Sequence, residues 1–85
     1  MLENIIVTDI QPPFTVKSQK GNHTEMKNRC SYGLSFCLSG QITYTHRGKQ
    51  YVSTPKTAVL LPKGETYSLV GNKDGSFPVI NFDCV

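Results

Sequence analysis

The stretch Arg29-Cys30-Ser31-Tyr32-Gly33-Leu34-Ser35-Phe36-Cys37-Leu38-Ser39-Gly40 carries the cleanest two-residue alternation in this 85-residue chain. A period of two is the mark of a β-strand. Successive strand side chains point to opposite sides of a sheet, so Tyr32, Leu34, Phe36 and Leu38 share one face, and Gly33, Ser35, Cys37 and Ser39 share the other. The first face offers bulky apolar groups for packing. The second offers small, weakly polar groups that leave volume unfilled, which suits the wall of a pocket.

Downstream of this strand, Ser39-Gly40 reads as a turn, after which residues 41–47 alternate again with Ile42, Tyr44 and His46 on one face. Arg47-Gly48-Lys49 is a tight turn, because glycine accepts the positive φ that such turns demand, and residues 49–53 return as the partner of a hairpin. Thr54-Pro55-Lys56 breaks the pattern before Thr57-Ala58-Val59-Leu60-Leu61, a continuous apolar run that predicts a strand buried on both sides. Pro62-Lys63-Gly64-Glu65 is the next turn, residues 66–70 form a short strand, residues 71–76 a polar loop, and residues 77–85 a closing strand.

Upstream, residues 3–10 predict a first strand at an edge, ended by Gln11-Pro12-Pro13, since proline removes a backbone donor. Residues 14–17 form a further extended piece. Residues 18–28 have no hydrophobic period and read as an exposed connection that carries His23, a solvated side chain without a second ligand at zinc-like spacing. No helical period occurs anywhere. The reading is therefore all-β, with seven to eight short antiparallel strands in a sandwich or small barrel. It forms one domain over residues 1–85, with residues 1–28 as an N-terminal arm and loop and residues 29–85 as the barrel core.

A domain of this length buries only about 60 to 65% of the surface its unfolded chain exposes, so a packing partner is plausible from size alone. Nine Lys and Arg against six Asp and Glu give a net charge of +3. These charges are scattered singly, with no run or helical stripe to follow a phosphate backbone, which argues against direct nucleic-acid binding. No apolar run approaches the ~20 residues of a membrane-spanning helix. Cys30, Cys37 and Cys84 are an odd number without a CxxC pair, and the N-terminus does not read as a secretion signal, so reduced thiols in a cytoplasm are expected. Among apolar strand neighbours, Cys37 reads as a small buried hydrophobe rather than a nucleophile.

The order of these pieces resembles the cupin barrel. More narrowly, Arg29-x-x-Tyr32-x-Leu34-x-Phe36-x-Leu38-Ser39-Gly40, then Gly48-Lys49-x-Tyr51, Leu60-Leu61-Pro62-x-Gly64 and Ile80-Asn81-Phe82 resemble the N-terminal effector-sensing domain of AraC-type transcriptional regulators, over about residues 28 to 83. The resemblance implies a cupin-like jelly roll. Catalytic cupins hold a metal through a histidine pair and a glutamate in one motif and a further histidine in a second. Counting along the resemblance, the pair falls near Lys27 and Arg29, the glutamate on Gly33 and the last histidine on Tyr67. None of these can supply the imidazole or carboxylate a divalent metal needs, so neither metal nor other cofactor is expected.

The same resemblance turns Gly33, Ser35, Cys37 and Ser39 toward the barrel lumen, with Tyr67 projecting in from the second motif. Ser35, Cys37, Tyr44, His46, Tyr67 and Asn81 are the candidate ligand-binding residues, set to orient a small effector of unspecified class against apolar walls. The implied protein is a non-catalytic sensing and dimerisation domain, a homodimer that reaches DNA only through a C-terminal pair of helix-turn-helix units. No part of residues 1–85 reads as such a unit, so the chain is either an excised domain or a resemblance confined to the fold. A stand-alone homodimeric, metal-free binding module is the alternative. A cupin-type isomerase or epimerase would use Tyr44, His46 or Tyr67 for proton transfer, but His46 has no carboxylate nearby in sequence to position it.

Overall fold

The computed structural model describes residues 6–85, and among them there are eight strands and no helix. The strands are β1 (Val7–Ile10), β2 (Phe14–Ser18), β3 (His23–Met26), β4 (Tyr32–Phe36), β5 (Ser39–His46), β6 (Lys49–Ser53), β7 (Ala58–Leu61) and β8 (Tyr67–Cys84). All paired neighbours are antiparallel. No helix among the described residues is long and apolar enough to cross a membrane.

The architecture follows from β8. Its 18 residues would span about 60 Å if straight at ~3.3 Å each, yet the longest extent of the molecule is 38 Å. The strand must therefore bend, and in bending it serves two sheets. Its first part pairs with β3 on one side, Met26 opposite Tyr67, and with β5 on the other, Tyr44 opposite Leu69. Its second part pairs with β2 and β1 on one side and with β4 on the other, Ser35 opposite Val79. Adding β6 beyond β5 and β7 beyond β4 curls the whole into a jelly roll whose core is Cys37, Ile42, Tyr44, Leu61, Tyr67, Phe77 and Val79. The bend coincides with register shifts opposite Ser39 and Gln41. Gly75 sits there because any Cβ would overlap the Ser39 carbonyl oxygen and lie 2.7 Å from the Gly40 Cα.

The alternation in the deciding stretch is realised as far as Leu38, while Ser39, read on the same face as Cys37, is exposed at the start of β5. Gly33, Ser35 and Cys37 are buried, while Tyr32 and Leu34 are half-buried and Phe36 and Leu38 are exposed on the outer face. Four other expectations change. The strand proper covers only Tyr32–Phe36, and the chain turns at Cys37-Leu38, so that Ser39 and Gly40 already belong to β5. Residues 18–28 are not all connection, since β3 forms there as an edge strand held by backbone pairing to β8 with its side chains largely in solvent. Residues 71–76 are not a loop but the bend of β8, paired with β5 and with β2. β7 is not buried on both sides: it ends the strand order, and Leu60 is 60% exposed. Of the first predicted strand, residues 7–10 are β1, and residues 3–5 lie outside the described part.

Candidate functional site

The lumen between the two sheets holds a cavity of about 180 Å³. Its polar lining comes from Ser35 on β4, Tyr44 on β5, Tyr67 on β8 and Arg29 from the β3–β4 connection, together with Lys17 and Ser18 on β2, Asn22 before β3 and Thr24 on β3, against apolar walls that include Phe77 and Val79. Strand parity explains this placement, since Ser35 lies opposite Val79 and both point inward. The Tyr44 hydroxyl lies 3.5 Å from the Ser35 hydroxyl. That separation is long for a hydroxyl pair, and a ligand oxygen can bridge it. The Tyr44 and Tyr67 rings are tilted with centroids 5.9 Å apart. Desolvation raises the pKa of both phenols, against the opposing charge of Arg29, so both remain proton donors at neutral pH.

Arg29 is anchored by its backbone, whose N–H donates to the Glu65 carbonyl at 3.1 Å and whose carbonyl accepts from the Gly64 N–H at 2.7 Å. Its side chain then turns inward over Gly33 and donates to the Asn81 carboxamide oxygen. Gly33 leaves this path open, because a Cβ there would collide with the guanidinium and stand 2.9 Å from the Asn81 oxygen. Asn81 thus acts on the lumen by holding Arg29. Three positions that the resemblance assigns to metal ligands, Arg29, Gly33 and Tyr67, do converge, but as a cation, a residue without a side chain and a phenol. Lys27 is exposed and lies 3.5 Å from Glu25. These residues do not fit a divalent cation, and among the described residues no three His, Cys, Asp or Glu side chains gather into a metal-binding group.

A second groove of about 560 Å³ opens between the edge strands β6 and β7. Tyr44 and Tyr67 line it as well as the lumen, so their rings stand between the two spaces. His46 belongs to this groove rather than to the lumen, and its Nε2 lies 2.8 Å from Glu65 Oε1. The guanidinium of Arg47 approaches the same oxygen at 2.7 Å. The hydrogen bond with His46 and the charge of Arg47 hold the Glu65 carboxyl below its ordinary pKa. The carboxylate that sequence proximity denies to His46 is therefore supplied from the turn before β8. Cys37 lines neither space. It is buried at the β4–β5 turn, where its thiol donates to the Ser39 carbonyl at 3.3 Å and burial raises its pKa.

Sequence reasoning passed over Arg29 as a binding residue. Counting along the resemblance already placed it at a lumen-facing ligand position, but its charge was read as the loss of a metal rather than as the presence of a cation.

No family model and no curated protein matches the sequence. Solved structures do resemble it. The Cupin_2 domain of an XRE family transcriptional regulator from Enterobacter cloacae superposes with a TM-score of 0.71 at 12% identity, over 93% of this chain and 96% of that one. A cupin superfamily protein from Desulfitobacterium hafniense gives 0.76 at 12% identity, over 95% and 79%. A predicted oxalate decarboxylase from Thermotoga maritima gives 0.71 at 18% identity, over 86% and 66%. At these identities the likeness concerns the fold, which is the cupin jelly roll.

Proposed function

We propose that this domain is a non-catalytic, metal-free small-molecule-binding module, the sensing and dimerisation part of a transcriptional regulator of the AraC type. The observation that carries the reading is the lumen cavity, where the hydroxyls of Ser35, Tyr44 and Tyr67 face apolar walls without a metal-ligating set. A few convergent polar groups in a mostly apolar cavity are the usual form of a small-molecule site. Likeness to a regulator's cupin domain supports the regulatory setting, although that regulator is of the XRE family. DNA contact falls to helix-turn-helix units outside residues 1–85. Thermal denaturation with a metabolite library tests the reading: some compounds should raise the midpoint of the parent but not of Ser35→Phe, which fills the lumen from a residue 1% exposed. No stabilising compound at all, or stoichiometric iron, nickel or zinc in the purified protein, would reject it.

The His46–Glu65 pair favours a second reading, a metal-independent sugar isomerase or epimerase working in the β6–β7 groove. A base positioned by a carboxylate, with the Tyr67 phenol lining the same groove, is the minimum for moving a proton. Incorporation of solvent deuterium into a keto-sugar, abolished by His46→Gln, would establish it.

A further inference from the structure

We infer that the lumen takes a small monocarboxylate, its carboxylate group on the Arg29 guanidinium and its apolar body against Leu69, Phe77 and Val79. The inference rests on the reading of the lumen as a ligand site and adds the ligand's chemistry.

Arg29 is the starting point. A guanidinium stays protonated in proteins, and taking it out of water without a counter-charge is costly. Among the described residues no carboxylate lies within ion-pair distance of Arg29, whose partners are neutral: the Asn81 carboxamide accepts one N–H, and the Tyr67 phenol lies within its electrostatic reach. Its Nε–H is buried and bonds to nothing. Of the other positive groups nearby, Arg47 pairs with Glu65, whereas Lys17 also lines the cavity and donates to the Ser76 hydroxyl at 2.7 Å. A cavity lined by a cation that has no carboxylate partner among the described residues is complementary to an anion.

The kind of anion follows from the remainder of the lining. The fork of a guanidinium matches the two oxygens of a carboxylate. The phenols of Tyr44 and Tyr67 are protonated donors, so they add hydrogen bonds without adding repulsion. An apolar body can lie against Leu69, Phe77 and Val79, and the cavity of about 180 Å³ admits only a compact one.

Two acids and their neutral isosteres test this on the folded domain: benzoate with benzamide, and hexanoate with hexanamide. The chain has only two arginines, Arg29 and Arg47, so their Nε–H resonances are separable by NMR once Arg47→Lys has identified one of them. Benzoate or hexanoate should shift the Arg29 resonance saturably, leave that of Arg47 in place, and bind about tenfold or more tightly than its amide. Arg29→Gln should abolish the difference between acid and amide. If that variant does not fold, Arg29→Lys, which keeps the charge and loses the fork, should narrow the difference. Equal binding of acid and amide to the parent, or a shift at Arg47 alone, overturns the inference. So does a lumen that binds neutral compounds blocked by Ser35→Phe and rejects both acids, a result that leaves the proposed function standing. A lumen that binds nothing overturns both.

Discussion

Gly33 and Gly75 are both crowded, but by different neighbours, and the difference separates fold from site. A Cβ on Gly75 meets the backbone of Ser39 and Gly40, which cannot move without opening the bend of β8. Gly75→Ala should therefore cost about 3 kcal/mol in urea denaturation. A Cβ on Gly33 meets the tip of the Arg29 side chain, which can swing away. Gly33→Ala should cost less than about 1 kcal/mol yet release Arg29 from Asn81, visible as a displaced Nε–H resonance. Equal losses in the two variants would mean that Arg29 is held as firmly as backbone. Glu65 makes a prediction of a different kind. Its pKa is lowered from the ordinary 4.5 by His46 and Arg47, so its contribution to stability is present above that value and is lost as pH falls through the folded pKa. Glu65→Gln should flatten this part of the acid limb in a stability profile, and an unchanged limb would show that the contact contributes nothing in solution.

At the level of elements, what could be read depended on whether a strand's environment is written in its side chains. β4 was legible because its large and small residues alternate, and its buried and exposed positions follow the same alternation. β3 was not, because every one of its residues but Met26 is exposed and only backbone pairing to β8 makes it a strand. β7 misled for the opposite reason: Ala58-Val59-Leu60-Leu61 is apolar throughout, but apolar residues do not say whether a strand has neighbours on both sides. The bend of β8 reads as polar because Lys73 and Asp74 are exposed and Asn72 accepts a hydrogen bond from the Thr43 hydroxyl, while the backbone is paired. Hydrogen exchange decides between strand and loop here. The Gly71 N–H donates to the Asn22 carbonyl at 2.8 Å and should be protected like those of the sheets. Exchange at the rate of an open chain would restore the loop. In the site, Ser35, Tyr44 and Tyr67 were legible through parity and resemblance, whereas the Glu65 partner of His46 was hidden by a separation of 19 residues.

For the molecule as a whole, the outer face of β4 is only partly covered from within the chain. Tyr32 stacks on Phe82 with centroids 5.9 Å apart, but Phe36, Leu38 in the turn that follows and Leu60 on the adjoining β7 remain 37%, 68% and 60% exposed. We propose that a second copy covers this stripe in a two-fold pair, since each Leu or Phe so buried contributes roughly 1.5 to 3 kcal/mol. Light scattering over a dilution series should show a dimer at micromolar concentration that Leu38→Lys or Leu60→Lys dissociates. A parent that is monomeric throughout would leave the stripe to some other partner. The long shared strand has its own consequence for how the chain acquires its shape. Among the described residues β8 is the eighth strand and the central member of both sheets, and β1 to β7 have only the pairings β4–β7 and β5–β6 among themselves. On the ribosome, the nascent chain can hold little more than those two pairs until residues 67–84 emerge, after which both sheets close together around β8. Such sequence-distant closure is slow, on the order of milliseconds to seconds, and it makes the newborn domain dependent on β8 for every other pairing of its strands.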